Sequence, residues 1–139
     1  MIIAVVDGQG GGIGRAIVEK IKKELPEHKV LALGLNSIAT GQMLKAGADE
    51  GATGENAIVY NMSRVDIVCG VVAILNVNSM LGELTPKMAE AIGSTEAYKI
   101  LLPYNRCHIH IVNAKEASLG DHIDAMIEEI KTHLKKQST

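Results

Sequence analysis

The sequence has 139 residues, a length that corresponds to one compact domain and excludes a separate substrate domain. Hydrophobic residues make up 47% of it and charged residues 22%, which predicts a folded chain with a substantial core rather than global disorder. The net charge is −2, and three tyrosines are the only aromatic residues. A nucleic acid or an anionic membrane is therefore not expected as a partner.

The cysteines and the first residues indicate a cytoplasmic protein. Cys69 and Cys107 provide no disulfide framework, and the opening "MIIAVV" lacks the basic start of a secretion signal. The longest uncharged run, residues 67–82, is too short and too polar to span a bilayer.

Apolar runs of strand length alternate with amphipathic stretches along the whole chain. This pattern predicts a single Rossmann-like three-layer α/β domain over residues 1–139, with a mostly parallel sheet. The predicted strands are 2–6, 29–33, 49–53, 65–69, 99–102 and 108–112, and the predicted helices are 13–25, 40–46, 55–62, 85–92 and 121–134.

Three details of this pattern carry specific expectations. Residues 55–62 read as a weak helix that could equally be extended, and Gly70 is expected to end or bend the fourth strand. Only five residues, 103–107, separate the last two strands, which is too few for a crossover helix. The last strand, 108–112, is therefore expected to run antiparallel at an edge of the sheet.

The most informative segment is "VVDGQGGGIGRAIVEKI", in which five of the fourteen glycines lie between residues 8 and 14. A strand, a glycine loop and a helix follow one another here. Such a loop permits positive φ and close approach of a ligand, and the amides at the start of the helix form a natural seat for phosphate. The alternative is a tight turn that only packs the helix on the strand.

Asp7 places a carboxylate directly before this loop. A phosphate about 4 Å from the Asp7 carboxylate would be repelled by about 4 kcal/mol at an effective dielectric of 20, whereas a helix terminus attracts it by at most about 2 kcal/mol. At that distance the repulsion would exceed the attraction. Either Asp7 turns away and bonds loop amides, or Mg²⁺ bridges it to a phosphate, or the ligand presents hydroxyls or a cation there. We favour the first arrangement.

The spacing of Gly8, Gly12 and Gly14, followed by "GIGRAI", resembles the cofactor loop of short-chain dehydrogenases over roughly the first 36 residues. The resemblance implies that these glycines hold a cofactor and that Arg15 helps to bind the 2′-phosphate of NADP. The Tyr and Lys pair of those enzymes, four residues apart, is missing. Tyr60, Tyr98 and Tyr104 are followed at that distance by Arg64, Leu102 and His108.

The end of the second predicted strand lacks the acidic residue that holds the ribose of NAD. Asn36 and Ser37 stand there instead. They could bond a ribose or a 2′-phosphate, which suits NADP or a mononucleotide better than NAD, or they could form an exposed turn that caps the next helix. The predicted binding residues are Asp7, Gly8, Gly10, Gly11, Gly12, Ile13, Gly14, Arg15, Asn36, Ser37, Asn76 and Asn78.

Two further polar stretches follow the fourth and fifth predicted strands. They supply Asn76, Asn78, Ser79 and Glu83, and then Tyr104, Asn105, Arg106, Cys107 and His108. Glu83 and His108, with Asn105, are the candidate catalytic groups, and Arg106 is a candidate for holding an anionic substrate. For Glu83, favourable helix-start electrostatics beside Thr85 is the alternative.

A metal site is not expected. Cys107, His108 and His110 match no standard zinc spacing, and further ligands would have to come from Cys69 or His122. Cys107 alternates with apolar residues, which indicates an inert thiol rather than a nucleophile.

As a whole, the chain resembles a family of short bacterial proteins known only as a domain of unknown function. The segments that carry the resemblance are "DGQGGGIGRAI", "GATGENAI", "NSMLGELTPKMAEAI" and "KILLP". The resemblance implies the fold and a bacterial, cytoplasmic setting, but no activity.

The function expected from these features is binding of a nucleotide or dinucleotide, NADP or NAD first, by a sensing or partner-dependent module. Mg²⁺ is expected only if a nucleoside phosphate binds near Asp7. The chain is expected to form a homo-oligomer or to join a partner subunit. Two alternatives remain, namely a small enzyme acting on a phosphate-bearing or nucleotide-linked substrate and an interaction domain with a vestigial loop.

Overall fold

The computed structural model describes residues 1–104 and 108–138, in which β-strands and helices alternate along the chain. Its strands are β1 (Ile2–Asp7), β2 (Lys29–Gly34), β3 (Glu50–Thr53), β4 (Ile67–Val71) and β5 (Tyr98–Leu102). Its α-helices are α1 (Gly12–Glu24), α2 (Ser37–Lys45), α3 (Glu55–Asn61), α4 (Pro86–Ser94) and α5 (Leu119–Gln137), and a 3₁₀ helix covers Val72–Leu75.

The five strands form one sheet in the order β3-β2-β1-β4-β5, and every pairing is parallel. β1 lies at the centre, where Ala4 pairs with Leu31 of β2 and with Val68 of β4. No residue from Ile3 to Val6 is more than 1% exposed. A central parallel strand is covered on both faces, and this is why its sequence is apolar without interruption.

Helices cover both faces of the sheet. α1 contacts α2 and α5, whereas α3 contacts α4. Right-handed crossovers in this strand order place α1 and α2 on one face and α3 and α4 on the other. The buried side of α1 consists of Gly14, Ile17, Val18 and Ile21, the spacing that brings residues onto one helical face.

The prediction of an antiparallel edge strand over residues 108–112 is wrong. These residues lie outside any strand, and the strands of the described residues pair only in parallel. His108 has a left-handed φ of 63°, and Val112 is 76% exposed. The apolar residues of this segment therefore do not pack against the sheet as alternating strand residues would.

Gly70 does not end the fourth strand, because β4 continues to Val71 and Gly70 pairs with Leu101 of β5, although the pairing of β4 with β1 stops at Cys69. A Cβ atom at this position would lie 2.8 Å from the carbonyl oxygen of Val6, so glycine permits the close approach of β4 to β1. The 3₁₀ helix continues the apolar run after β4, which explains why that run is longer than a strand. The helix predicted over residues 55–62 is present as α3.

Both ends of the described chain lie at the amino edge of the sheet. Met1 and Ser138 line the same groove, with a volume of about 620 Å³, because α5 runs back to the start of β1. Among the described residues, none of the helices has the length and the apolar character needed to cross a bilayer.

Candidate functional site

The centre of the carboxyl edge of the sheet is the point where neighbouring connections diverge. The chain leaves β1 through α1 towards β2, whereas it leaves β4 through α4 towards β5 on the other side. In open parallel sheets, ligands bind in the crevice at such a switch point. Two segments meet there, the glycine loop (residues 8–14) and the segment that follows β4 and its 3₁₀ turn, here named the β4 loop (residues 76–84).

The glycine loop begins as a tight turn and ends as the first turn of α1. The amide of Gly11 donates to the carbonyl of Gly8 over 3.0 Å, and Gly11 has a φ of 75°, a value that favours glycine. A Cβ atom at Gly14 would lie 2.7 Å from Cβ of Asp7 and 2.9 Å from Sδ of Met43. Gly14 therefore allows α1 to approach β1 closely.

Asp7 points into the loop rather than into the crevice. Its Oδ1 accepts from the Gly8 amide over 2.8 Å and its Oδ2 from the Gly14 amide over 2.7 Å, and the residue is only 7% exposed. Burial raises the pKa of this carboxyl, the two amide hydrogen bonds lower it, the nearby Glu83 raises it, and the net shift is upward. Asp7 therefore turns away from the ligand side and bonds loop amides, which is the arrangement favoured from the sequence.

Three amides of the glycine loop have no hydrogen-bond partner among the described residues. They belong to Gly10, Gly12 and Ile13, whereas those of Gly8, Gln9, Gly11 and Gly14 are bonded. Gly10 and Gly12 are exposed, and no atom lies within 4 Å of a Cβ built at either position. The start of α1 therefore offers open donors at the positive end of the helix dipole.

Glu83 of the β4 loop joins the glycine loop to the end of β2. Its Oε1 accepts from the amide of Gln9 over 2.6 Å, and its Oε2 accepts from Nδ2 of Asn36 over 2.8 Å. Nδ2 of Asn36 also donates to the carbonyl of Gln9 over 3.0 Å. Sequence reasoning missed Gln9, because a backbone donor leaves no signal in the side-chain pattern.

The backbone of the β4 loop is unusual. Asn78, Met80 and Leu81 have φ values of 65°, 56° and 58°, and Gly82 follows with 88°. A left-handed conformation costs a residue with a side chain about 1–2 kcal/mol. Leu81 is fully exposed at the tip of the loop, whereas Leu84 at its end is fully buried.

The other predicted binding residues differ in their exposure and in their hydrogen-bond partners. Oδ1 of Asn36 accepts from the amide of Ala39 and caps α2, so the capping interpretation holds for this residue. Ser37 is exposed in the first turn of α2. Arg15 is exposed on α1, where Nη1 donates to Oε1 of Gln42 over 2.9 Å. Asn76 and the exposed Asn78 lie in the β4 loop, close in sequence to Glu83.

The predicted catalytic groups are not brought together in the described residues. No hydrogen bond or ion pair there joins Glu83 to His108, which is exposed. Thr85 caps α4 by accepting from the amide of Met88, and Glu83 lies two residues before this cap. The candidates Asn105, Arg106 and Cys107 lie outside the described residues.

Within residues 1–104 and 108–138, no group of three or more histidine, cysteine or acidic side chains is placed to hold a metal. Cys69 is fully buried, and burial raises the pKa of its thiol to about 12. The ring of His122 packs edge-on against Tyr104, with ring centroids 5.4 Å apart, and His110 is exposed.

Another groove, of about 720 Å³, lies at the amino edge of the sheet. Asp66, Tyr98 and His133 are among its lining residues, and the rings of Tyr98 and His133 stack with centroids 4.4 Å apart. None of the residues predicted to bind a ligand lies in it.

The sequence profile of one protein family, a domain of unknown function, matches residues 2–135. The chain belongs to the DUF3842 family. This confirms the resemblance to an uncharacterised family. No curated protein matches the sequence of this DUF3842 chain.

Two solved structures are similar to this DUF3842 chain. A dodecameric FMN-dependent Ubix-like decarboxylase from Escherichia coli O157:H7 has 11% identity and a TM-score of 0.48, over 94% of this chain and 95% of the decarboxylase chain. A universal stress protein in complex with cAMP has 16% identity and a TM-score of 0.41, over 71% of this chain and 94% of its own. Because both TM-scores are below 0.5, neither similarity carries a functional argument.

Proposed function

We propose that this DUF3842 domain binds the phosphate-bearing part of a nucleotide at the carboxyl edge of its sheet and acts as a ligand-sensing or partner-dependent module. The observation that carries the proposal is that the amides of Gly10, Gly12 and Ile13, at the start of α1, have no hydrogen-bond partner in the part of the chain that the structure describes. Backbone donors at a helix N-terminus bind phosphate through hydrogen bonds and through the helix dipole.

The acidic side chains beside this position are Asp7 and Glu83, and both accept hydrogen bonds from amides of the glycine loop. The first turn of α1 contains no acidic residue. The carboxylate oxygens of Asp7 are both bonded to amides within the loop, so the negative charge of Asp7 is partly compensated there. A phosphate on the outer side of Gly10 and Gly12 would meet donors from which none of the residues 1–104 and 108–138 accepts a hydrogen bond.

NADP and NAD are the dinucleotides proposed first. No acidic residue follows β2, where NAD-binding loops hold the ribose, and Ser37 is exposed there. Arg15 is exposed on α1 and is tied to α2 through Gln42, and this supports a 2′-phosphate and hence NADP. Mg²⁺ enters the proposal only with a nucleoside phosphate near Asp7.

The test is a thermal-shift panel of NADP, NAD, ATP, GTP and coenzyme A, each with and without Mg²⁺. A ligand present at 100 times its Kd stabilises the folded chain by about 2.7 kcal/mol. We expect at least one nucleotide to raise the Tm, and we expect Gly12→Ala to reduce that shift, because its methyl group would stand in the open approach to the amides.

The matched control is Gly93→Ala. Like Gly12, Gly93 lies in a helix, is exposed and has no atom within 4 Å of a built Cβ, but it lies near the carboxyl end of α4. We expect this variant to bind as the wild type does. A panel without any shift, or an equal loss in both variants, would contradict binding at the glycine loop.

A further inference from the structure

The β4 loop (residues 76–84) lies against the glycine loop at the carboxyl edge of the sheet, and Glu83 ties the two together. We propose that Glu83 is a latch, a carboxylate that holds the β4 loop closed in the absence of ligand and that an anionic ligand group displaces. The displacement by a ligand rests on the proposed function above, whereas the closure by Glu83 is independent of it.

The position of the loop makes it a cover for the switch point. A Cβ atom at Gly8 would overlap Oε1 of Glu83 and would lie 2.8 Å from Sδ of Met80. The side chains of Glu83 and Met80 therefore occupy the space directly above the end of β1. A ligand group that enters this space has to displace both of them.

The donors that hold Glu83 are suited to a ligand anion. They are the amide of Gln9 and Nδ2 of Asn36, both of which are uncharged. No ion pair in the described part of the chain includes Glu83. A phosphate or carboxylate oxygen can accept the same two hydrogen bonds, and the protein loses no charge pair when Glu83 leaves.

The β4 loop is anchored at the buried Leu84 and at Ser79, whose hydroxyl donates to the carbonyl of Ala73 over 2.6 Å, and the rest of the loop is bonded to itself. The amide of Asn78 donates to the carbonyl of Leu84 and the amide of Leu84 to the carbonyl of Ser79, so the loop is closed on itself. Its left-handed residues store backbone strain, a feature that clusters at ligand clamps and switch segments. The two hydrogen bonds of Glu83 connect this closed loop to the glycine loop and to Asn36.

The test of closure is amide hydrogen exchange on the full chain without ligand. We expect Glu83→Ala to speed exchange at Gln9 and in residues 76–84 at least tenfold, with little change in the strands. Glu83→Gln retains one acceptor oxygen and is expected to lie between Ala and wild type. The control is Glu90→Ala, an exposed glutamate of α4, which is expected to leave the loop unchanged.

A second variant changes the donor of the hydrogen bond between Asn36 and Glu83 instead of its acceptor. Asn36→Asp retains the acceptor that caps α2 but removes the donor to Glu83 and places a second carboxylate beside it. We expect the same acceleration in residues 76–84. If the loop keeps wild-type protection in both Glu83→Ala and Asn36→Asp, the closure by Glu83 is wrong.

The test of displacement is titration with NADP, ATP and coenzyme A by calorimetry. If the loop competes with the ligand, Glu83→Ala binds the nucleotide at least fivefold more tightly than the wild type, and Glu90→Ala binds it equally. Unchanged or weaker binding by Glu83→Ala would overturn the displacement. Faster exchange in the variant, with no nucleotide bound by any form, would leave the latch in place and contradict the proposed function instead.

Discussion

Nδ2 of Asn36 lies 2.8 Å from Oε2 of Glu83, across 47 residues of sequence. This one contact joins the end of β2 to the β4 loop on the other side of the central strand. Asn36 also caps α2 through Oδ1 and donates to the carbonyl of Gln9. A side chain read from the sequence as a ribose contact or a helix cap is therefore a structural tie between three loops.

The first prediction concerns this residue. Asn36→Ala removes the helix cap and the donor, and we expect it to lower the free energy of unfolding by about 2–3 kcal/mol. Asn36→Ser keeps a capping hydroxyl but cannot bridge to Glu83, and we expect a loss of about 1 kcal/mol. Urea denaturation of the three proteins measures both values. Equal losses for Ala and Ser would show that the cap contributes nothing.

A second prediction concerns close packing at Gly14. An added methyl group would lie within 3 Å of Asp7 and Met43, so we expect Gly14→Ala to lower stability by about 1–3 kcal/mol. Gly41→Ala in α2 is the control, because no atom lies within 4 Å of a built Cβ there. Alanine favours a helix by up to about 1 kcal/mol over glycine, so Gly41→Ala is expected to preserve or raise the Tm.

Asp7 gives a prediction about pH. Because burial raises its pKa in the folded state above the value of about 3.9 in an unfolded chain, the folded protein retains a proton that the unfolded chain has already lost. The contribution of the Asp7 carboxyl to the free energy of unfolding is therefore highest below about pH 4. It falls as the pH rises through the pKa of the folded state.

The measurement is the free energy of unfolding of wild type minus that of Asp7→Asn, from pH 3.5 to 7. The subtraction cancels the titrating groups that do not interact with Asp7, and we expect the difference to become less favourable to the wild type as the pH rises. A constant difference would show that the two amide hydrogen bonds balance the burial of the carboxyl, and an increase with pH would show that they outweigh it; either result would contradict the prediction.

Cys69 is expected to be unreactive in the folded protein. Its side chain is fully buried, and its pKa of about 12 leaves almost no thiolate at neutral pH. In a Cys107→Ser variant, which retains Cys69 alone, we expect no reaction with a disulfide reagent before denaturant is added and one thiol per chain afterwards. Rapid labelling of the native variant would mean that β4 opens locally.

The last prediction addresses strain at the tip of the β4 loop. Leu81 is fully exposed and left-handed, and asparagine tolerates this conformation better than leucine does. We expect Leu81→Asn to raise the free energy of unfolding by up to about 1 kcal/mol. Val77→Asn, at an exposed position of the same loop without positive φ, is expected to give no gain; an equal gain there would attribute the effect to polarity alone.

The fold could be predicted largely from the sequence. Strands that are covered on both faces must be apolar throughout, and the runs at β1, β2 and β4 therefore stood out from the amphipathic helices between them. The antiparallel strand could not be judged in the same way. Alternating apolar residues at 108–112 fit a strand locally, but whether an edge of the sheet accepts them depends on the path of the chain in three dimensions.

The glycine loop was also visible in the sequence, because its composition is itself the signal. The contact of this loop with Glu83 could not be predicted from the sequence. The amide of Gln9 meets Glu83 over a separation of 74 residues, and the donor is backbone that any residue would supply. Similarly, the strand order gives Gly70 its role, since the carbonyl of Val6 excludes a side chain only once β4 lies beside β1.

The shared groove of Met1 and Ser138 has a practical consequence. A tether or a fluorescent reporter joined at either terminus would emerge beneath the sheet, a full strand length away from the glycine loop. Immobilised molecules would then carry the glycine loop and the β4 loop on the side away from the support, so that surface-based tests of nucleotide binding would probe the edge at which we propose that it occurs.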